Sequence, residues 1–168
     1  MTKAVWTAAA AAVFLMVASA PVRAQATDSA TVNVSVVVAA KAKLTITGGP
    51  VSFADADPTT TPVLAATSDL AIDVKARTSA AGNVTLTVVS SNDLKSGSDT
   101  ITIDNLTWTV GGSSGLLAGT MNKTTAKSVG SWTGSGSFSG TQGYKLANSW
   151  AYNTGTYTTT LTYTLTAP

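Results

Sequence analysis

The chain has no cysteine, no histidine and no glutamate among its 168 residues, and only 11% of them are charged. Without cysteine or histidine there is no thiol nucleophile, no zinc site of the usual kind and no serine–histidine–aspartate relay. A hydrolase with two carboxylates would have to work with aspartate alone. We therefore predict that the protein is not an enzyme and uses no cofactor.

One pair of carboxylates is close enough in sequence to suggest a metal ion. Asp55 and Asp57 are separated by a single residue and precede Pro58. A calcium loop needs further oxygen ligands at fixed spacing, and that pattern is missing around them. We interpret both as solvated turn residues and predict no metal site.

The first 26 residues have the features of a secretory signal peptide. Lys3 provides a positive start, residues 5–20 form an apolar, alanine-rich stretch, and Pro21 interrupts it. Ala24-Gln25-Ala26 then fits the small-residue cleavage site that follows such stretches. The apolar stretch is shorter than the roughly 20 residues that a membrane-spanning helix needs. We expect cleavage, export to the cell surface or the medium, and no membrane insertion afterwards.

Residues 27–168 are predicted to form one domain. Because Lys3 and Arg23 leave with the signal peptide, the remaining chain has eight basic and eight acidic side chains and is neutral. Nucleic acid is not an expected partner, since binding it depends on neutralising phosphates with basic side chains. An exported domain without cysteine must be stabilised by packing and hydrogen bonds instead of disulfides.

Apolar and polar residues alternate along most of this domain, which is the pattern of strands with one buried face. The clearest runs lie in residues 30–38, 44–46, 69–75, 83–88, 101–110 and 156–166. Turn signals rich in glycine and proline separate them, and the glycine-rich residues 130–143 are predicted to be a hairpin or loop. We predict an all-β fold, an antiparallel immunoglobulin-like β-sandwich of about seven to nine strands.

Two tryptophans are candidate contacts for carbohydrate. Trp108 lies in register with Leu106 and Val110, so we expect it in the core. Trp132 falls in the glycine-rich segment and Trp150 follows that segment, so neither belongs to an inward-facing pattern. Each of the two could stack on a sugar, with packing as the alternative role.

Residues 30–38 give the most specific functional hypothesis. Val32, Val34, Val36 and Val38 recur at every second position just after the cleavage site. A long apolar strand at a free chain end can complete its own sheet or be donated to the sheet of a neighbour. Both alternatives remain open at this point, and in the second one residues 27–40 are the assembly strand.

The closing segment resembles the last strand of WxL-type surface domains. Residues 155–168 read GTYTTTLTYTLTAP, and the second motif of that family would fall on Tyr163-Thr164-Leu165. The first would fall on Val84-Thr85-Leu86. Tyr163 and Val84 stand where the family has tryptophan, while Leu86 and Leu165 match it. The resemblance implies a non-catalytic domain that binds cell-wall polysaccharide.

The N-terminal part is similar to a different group, the spore-coat-U-like and pilin-like secreted domains. The similarity is carried by Ala30-Thr31-Val32-Asn33-Val34-Ser35, by a strand that contains Leu44, and by Val51-Ser52-Phe53. It implies a sandwich that is polymerised through a chaperone, an usher and a donated strand. The leading hypothesis is therefore a structural or adhesive subunit of a fimbria or matrix that self-associates or joins other surface subunits. The alternative is a WxL-like domain that binds the cell wall or another carbohydrate.

Overall fold

The computed structural model describes residues 25–112 and 115–168, and nearly all of their regular structure is β-strand. The predicted signal peptide lies, except for its last two residues, outside the described part. Every strand of the described residues belongs to one unit, residues 37–168, and residues 25–36 belong to the other. The strands are β1 (Lys41–Thr47), β2 (Val63–Ala65), β3 (Leu70–Arg77), β4 (Asn83–Ser90), β5 (Leu94–Ser96), β6 (Asp99–Ile101), β7 (Leu106–Gly111), β8 (Gly119–Thr120), β9 (Lys127–Thr133), β10 (Gly136–Ala147) and β11 (Leu161–Thr166). A 3₁₀ turn, Ile103–Asn105, precedes β7.

The strands form two main sheets in which every pairing is antiparallel. The large sheet has the order β1-β3-β10-β7-β8, with β2 also paired to β10, and the small sheet has the order β11-β4-β9. Strands β5 and β6 make a separate two-stranded ribbon. The predicted all-β, antiparallel sandwich is confirmed. More strands are present than predicted, because β2, β5, β6 and β8 are too short to show alternation.

The core lies between the inward faces of the two sheets. Strand β3 alternates strictly, with every second side chain from Leu70 to Ala76 buried. Strand β4 does the same from Val84 to Ser90 in the small sheet. Trp108 is buried in this core, as its register with Leu106 predicted.

The glycine-rich segment is not a hairpin, and that prediction was wrong. Its residues fall in β9 and β10, which belong to different sheets, and β10 is the central strand of the large one. Gly134 and Ser135 make the crossing, with Gly134 in the left-handed region at φ +77°. The Ser135 hydroxyl accepts a hydrogen bond from the Thr78 N–H and donates one to the Thr78 carbonyl, both at 2.9 Å. The turn after β9 is therefore fastened to the turn after β3.

At several positions the chain has glycine because a tryptophan ring occupies the space that a side chain would need. A Cβ atom on Gly115 or on Gly130 would overlap the Trp132 indole, and one on Gly119 would overlap Trp108. Small residues are required there because core packing leaves no room for both a large ring and another side chain.

None of the helical structure in the described residues is long and apolar enough to cross a membrane.

Candidate assembly interface

The segment that precedes β1 is exposed. Residues 25–40 contain no strand, although the alternation in 30–38 predicted one. The four alternating valines, Val32, Val34, Val36 and Val38, are between 60% and 90% exposed. Alternation makes a segment suitable for pairing but does not form a strand by itself, because the backbone N–H and C=O groups need hydrogen-bond partners on a neighbouring strand. Residues 30–38 therefore have the alternating sequence of a strand, and no strand pairing of this segment is present among the described residues.

Strand β1 ends the large sheet. It pairs with β3 along its whole length, with Leu44 opposite Val74 and Ile46 opposite Ile72. Both partners on β3 are fully buried, whereas Leu44 and Ile46 are half-buried. The apolar face of the large sheet thus becomes accessible at this edge.

Strand β11 ends the small sheet in the same way. It pairs only with β4 in the described residues, placing Tyr163 opposite Val88 and Leu165 opposite Leu86. Its inward side chains, Leu161, Tyr163 and Leu165, pack against the core and are half-buried. Strands β1 and β11 are neighbours, yet in the described part of the chain no strand pairing joins them.

The opposite side of the sandwich is closed by backbone hydrogen bonds. The Leu117 N–H donates to the Val129 carbonyl at 2.7 Å, and the Ser131 N–H donates to the Gly115 carbonyl at 3.0 Å. These bonds attach the segment before β8 to β9 of the small sheet. Val129 and Trp132 on β9 are consequently buried. Of these two sides, only the one formed by β1 and β11 presents half-buried apolar rows.

A chain of hydrogen bonds connects β11 to the centre of the large sheet. The Tyr163 hydroxyl donates to Gln142 Oε1 at 2.6 Å, and so its oxygen accepts the hydrogen of the Tyr144 hydroxyl, also at 2.6 Å. Gln142 is completely buried, and its Nε2 has no hydrogen-bond partner among the described residues. Burial raises the pKa of Tyr144 far above its ordinary value and that of Tyr163 to about 12. These hydrogen bonds join β11 of the small sheet to β10 of the large sheet. Sequence reasoning did not find them, because they depend on which strands face each other.

The positions that resemble the WxL motifs lie on adjacent strands. Val84 and Leu86 are buried on β4, and Tyr163 and Leu165 are half-buried on β11. Leu86 and Leu165 are direct cross-strand partners. The two segments therefore form one continuous inward-facing patch of the small sheet.

The two candidate carbohydrate contacts lie in different environments. Trp132 is buried on β9 and stacks on Phe138, with ring centroids 5.0 Å apart. Its burial corresponds to the alternative role, packing, because glycines beside its ring let the core enclose it. Trp150 is 72% exposed, and its indole N–H donates to the Thr59 hydroxyl at 3.1 Å.

Asp57 acts within its own turn. Its carboxylate accepts a hydrogen bond from the Thr59 N–H at 2.7 Å, and its carbonyl accepts one from the Thr61 N–H. In the residues described here, no three acidic side chains are grouped so as to hold a metal ion.

No family model, no curated protein and no solved structure matches this chain. The geometry of its exposed segment and sheet edges is thus what bears on function.

Proposed function

We propose that this protein is a secreted or cell-surface structural subunit with an immunoglobulin-like sandwich. It is non-catalytic, and it assembles in the manner of a pilin or matrix subunit by donating residues 30–38 as a strand to another molecule. The observation that supports this proposal is the exposed, unpaired row of alternating valines. Export through the predicted signal peptide would bring the subunit to the surface where such assemblies form.

Exposed apolar side chains are concentrated in this one segment. Five of the eight large hydrophobic side chains exposed in the described residues lie between Val32 and Val38. Contiguous exposed apolar surface is characteristic of interaction sites, whereas scattered single residues are ordinary. Burying one valine is worth roughly 1.5–3 kcal/mol, so a sheet that accepts all four gains a substantial driving force.

The alternation provides a matched pair of variants that tests the proposal. Val34→Asp places a charge on the apolar face of the segment, and Ser35→Asp places the same charge on the other face. Val34 is 90% exposed, so neither change should alter the unfolding midpoint of the monomer. We expect fibres or ladders from the wild-type chain without residues 1–26 and from Ser35→Asp, and monomers from Val34→Asp. Size exclusion and negative-stain microscopy measure this. Wild-type protein that stays monomeric at high concentration, or Val34→Asp that assembles like Ser35→Asp, would refute donation.

A second candidate function rests on Trp150. Its exposed indole is fixed through one hydrogen bond and leaves most of its surface accessible, as a contact for a cell-wall polysaccharide requires. In this proposal, retention on peptidoglycan or another polysaccharide drops with Trp150→Ala and is unaffected by Val34→Asp. If the wild-type protein is retained on none of these polymers, this candidate fails.

A further inference from the structure

We propose that the acceptor of the donated segment is the free edge of β1 in a second copy of this chain. The incoming valines pack there on five half-buried side chains, Leu44, Ile46, Leu161, Tyr163 and Leu165. This inference rests on the proposed function and adds to it the identity of the partner and the place of docking.

The backbone of β1 can accept another strand. In an antiparallel ladder, alternate residues direct their N–H and C=O groups away from the partner strand. All seven residues of β1 are paired with β3, and no other strand of the described residues pairs with the groups on its other side. An edge of this kind is a ready template for pairing with another chain.

The side chains near this edge match the donated segment in period and in chemistry. A strand added beside β1 continues the large sheet, and its inward residues extend the row begun by Leu44 and Ile46. The half-buried inward residues of β11 lie across from that row. Alternating valines provide apolar contacts at the same two-residue period. The donor carries no charge between residues 29 and 40, so Lys41 and Lys43 at the acceptor edge meet no like charge.

The segment is poorly suited to folding back on its own β1. Only Ala39 and Ala40 separate Val38 from the start of β1. A two-residue hairpin needs positive φ values that glycine and asparagine adopt and alanine resists. In the described residues no residue other than glycine has a positive φ, and the Arg77 Nε donates to the Ala39 carbonyl at 2.8 Å. A second copy, whose donor is not bound by this short connection, is therefore the occupant.

The absence of cysteine permits a test by disulfide mapping. One copy carries Ser35→Cys as the donor. The acceptor copy carries Val34→Asp, which prevents it from donating, together with one cysteine at Lys43, Thr45, Thr164 or Thr109. Thr45 and Lys43 are exposed on β1, Thr164 is exposed on β11, and Thr109 is an equally exposed control on β7. The two copies are mixed and oxidised, and mass spectrometry identifies the linked peptides. Directly opposed residues in paired strands meet the Cα separation that a disulfide requires.

Disulfides at Lys43→Cys or Thr45→Cys, with only background linkage at Thr109→Cys, are the expected result. If wild-type protein forms fibres but the links appear at Thr164→Cys or are equal at all positions, the β1 acceptor is wrong and strand donation still stands. If wild-type protein does not assemble, the proposed function fails and this inference fails with it.

Discussion

Replacing Tyr163 with phenylalanine is a direct test of the hydrogen-bond chain that joins β11 to β10. The change deletes one hydroxyl and leaves the ring in place. It leaves two buried polar groups without partners, the Tyr144 hydroxyl and Gln142 Oε1. Water cannot replace the lost partners easily, since both residues are almost completely buried.

The expected cost follows from these two groups. Each buried donor or acceptor left unpaired costs about 1–3 kcal/mol, so Tyr163→Phe should lower the free energy of unfolding by about 2–6 kcal/mol. Tyr157→Phe is the matched control, because the Tyr157 hydroxyl donates to the Asn153 carbonyl in an exposed position. Solvent can take over that bond, and the control should cost about 1 kcal/mol or less.

Urea unfolding followed by tryptophan fluorescence measures both variants. The Val34→Asp background keeps the protein monomeric, and an unchanged denaturant slope shows that the midpoints report stability. A triple variant removes all three hydrogen-bonding groups together, through Gln142→Leu, Tyr144→Phe and Tyr163→Phe. It should recover part of the loss, because apolar groups of similar shape leave nothing unpaired. The reasoning is refuted if Tyr163→Phe costs no more than Tyr157→Phe, or if the triple variant is less stable than the single one.

Three further predictions concern pH and one turn. Stability should fall as the pH rises from about 10, the ordinary tyrosine value, toward about 12, to which burial raises the pKa of Tyr163. The folded state retains a proton there that the unfolded state releases, and urea midpoints over this range should change less in Tyr163→Phe. The Lys123 ammonium and then the Ile103 N–H lower the pKa of Asp93. The stabilisation from Asp93 is thus complete above about pH 4 and declines below it. The free energy of unfolding should therefore differ less between pH 7 and pH 3 in Asp93→Asn than in the wild-type protein. Gly134→Ala should cost about 1–2 kcal/mol for a left-handed residue. It should cost more than Gly97→Ala, because a Cβ on Gly134 would lie 3.2 Å from the Ala80 carbonyl oxygen and a Cβ on Gly97 would meet open space. Equal losses of unfolding free energy in the two variants would contradict this contact.

The strands that the sequence predicted best have one fully buried face and one more accessible face. In β3 and β4 the two faces differ so strongly that alternation alone reveals the strand. Strand β10 could not be found in this way, although it occupies the centre of the large sheet. Its first residues are glycine, serine and a single Phe138, because Gly136 must leave room for that ring. The packing of neighbouring strands requires these small residues, and the local sequence pattern carries no information about that packing.

The candidate interface was predictable in its donor half only. The two-residue spacing of the valines in residues 30–38 can be read from the sequence. That no described strand pairs with them is known only from the structure. The acceptor edge depends on sheet order, which places β1 and β11 at the ends of their sheets. The enclosure of Trp132 was hidden for a similar reason, since one of the glycines beside its ring, Gly115, is distant from it in sequence.

Amide hydrogen exchange of residues 30–38 tests the central claim most directly. The wild-type protein without residues 1–26 is measured as a dilute monomer and again after assembly. We expect rapid exchange of these amides in the monomer and strong protection in the assembly, because only a donated strand gains its hydrogen bonds from another molecule. Protection already present in the monomer, or its absence in the assembly, would contradict the account.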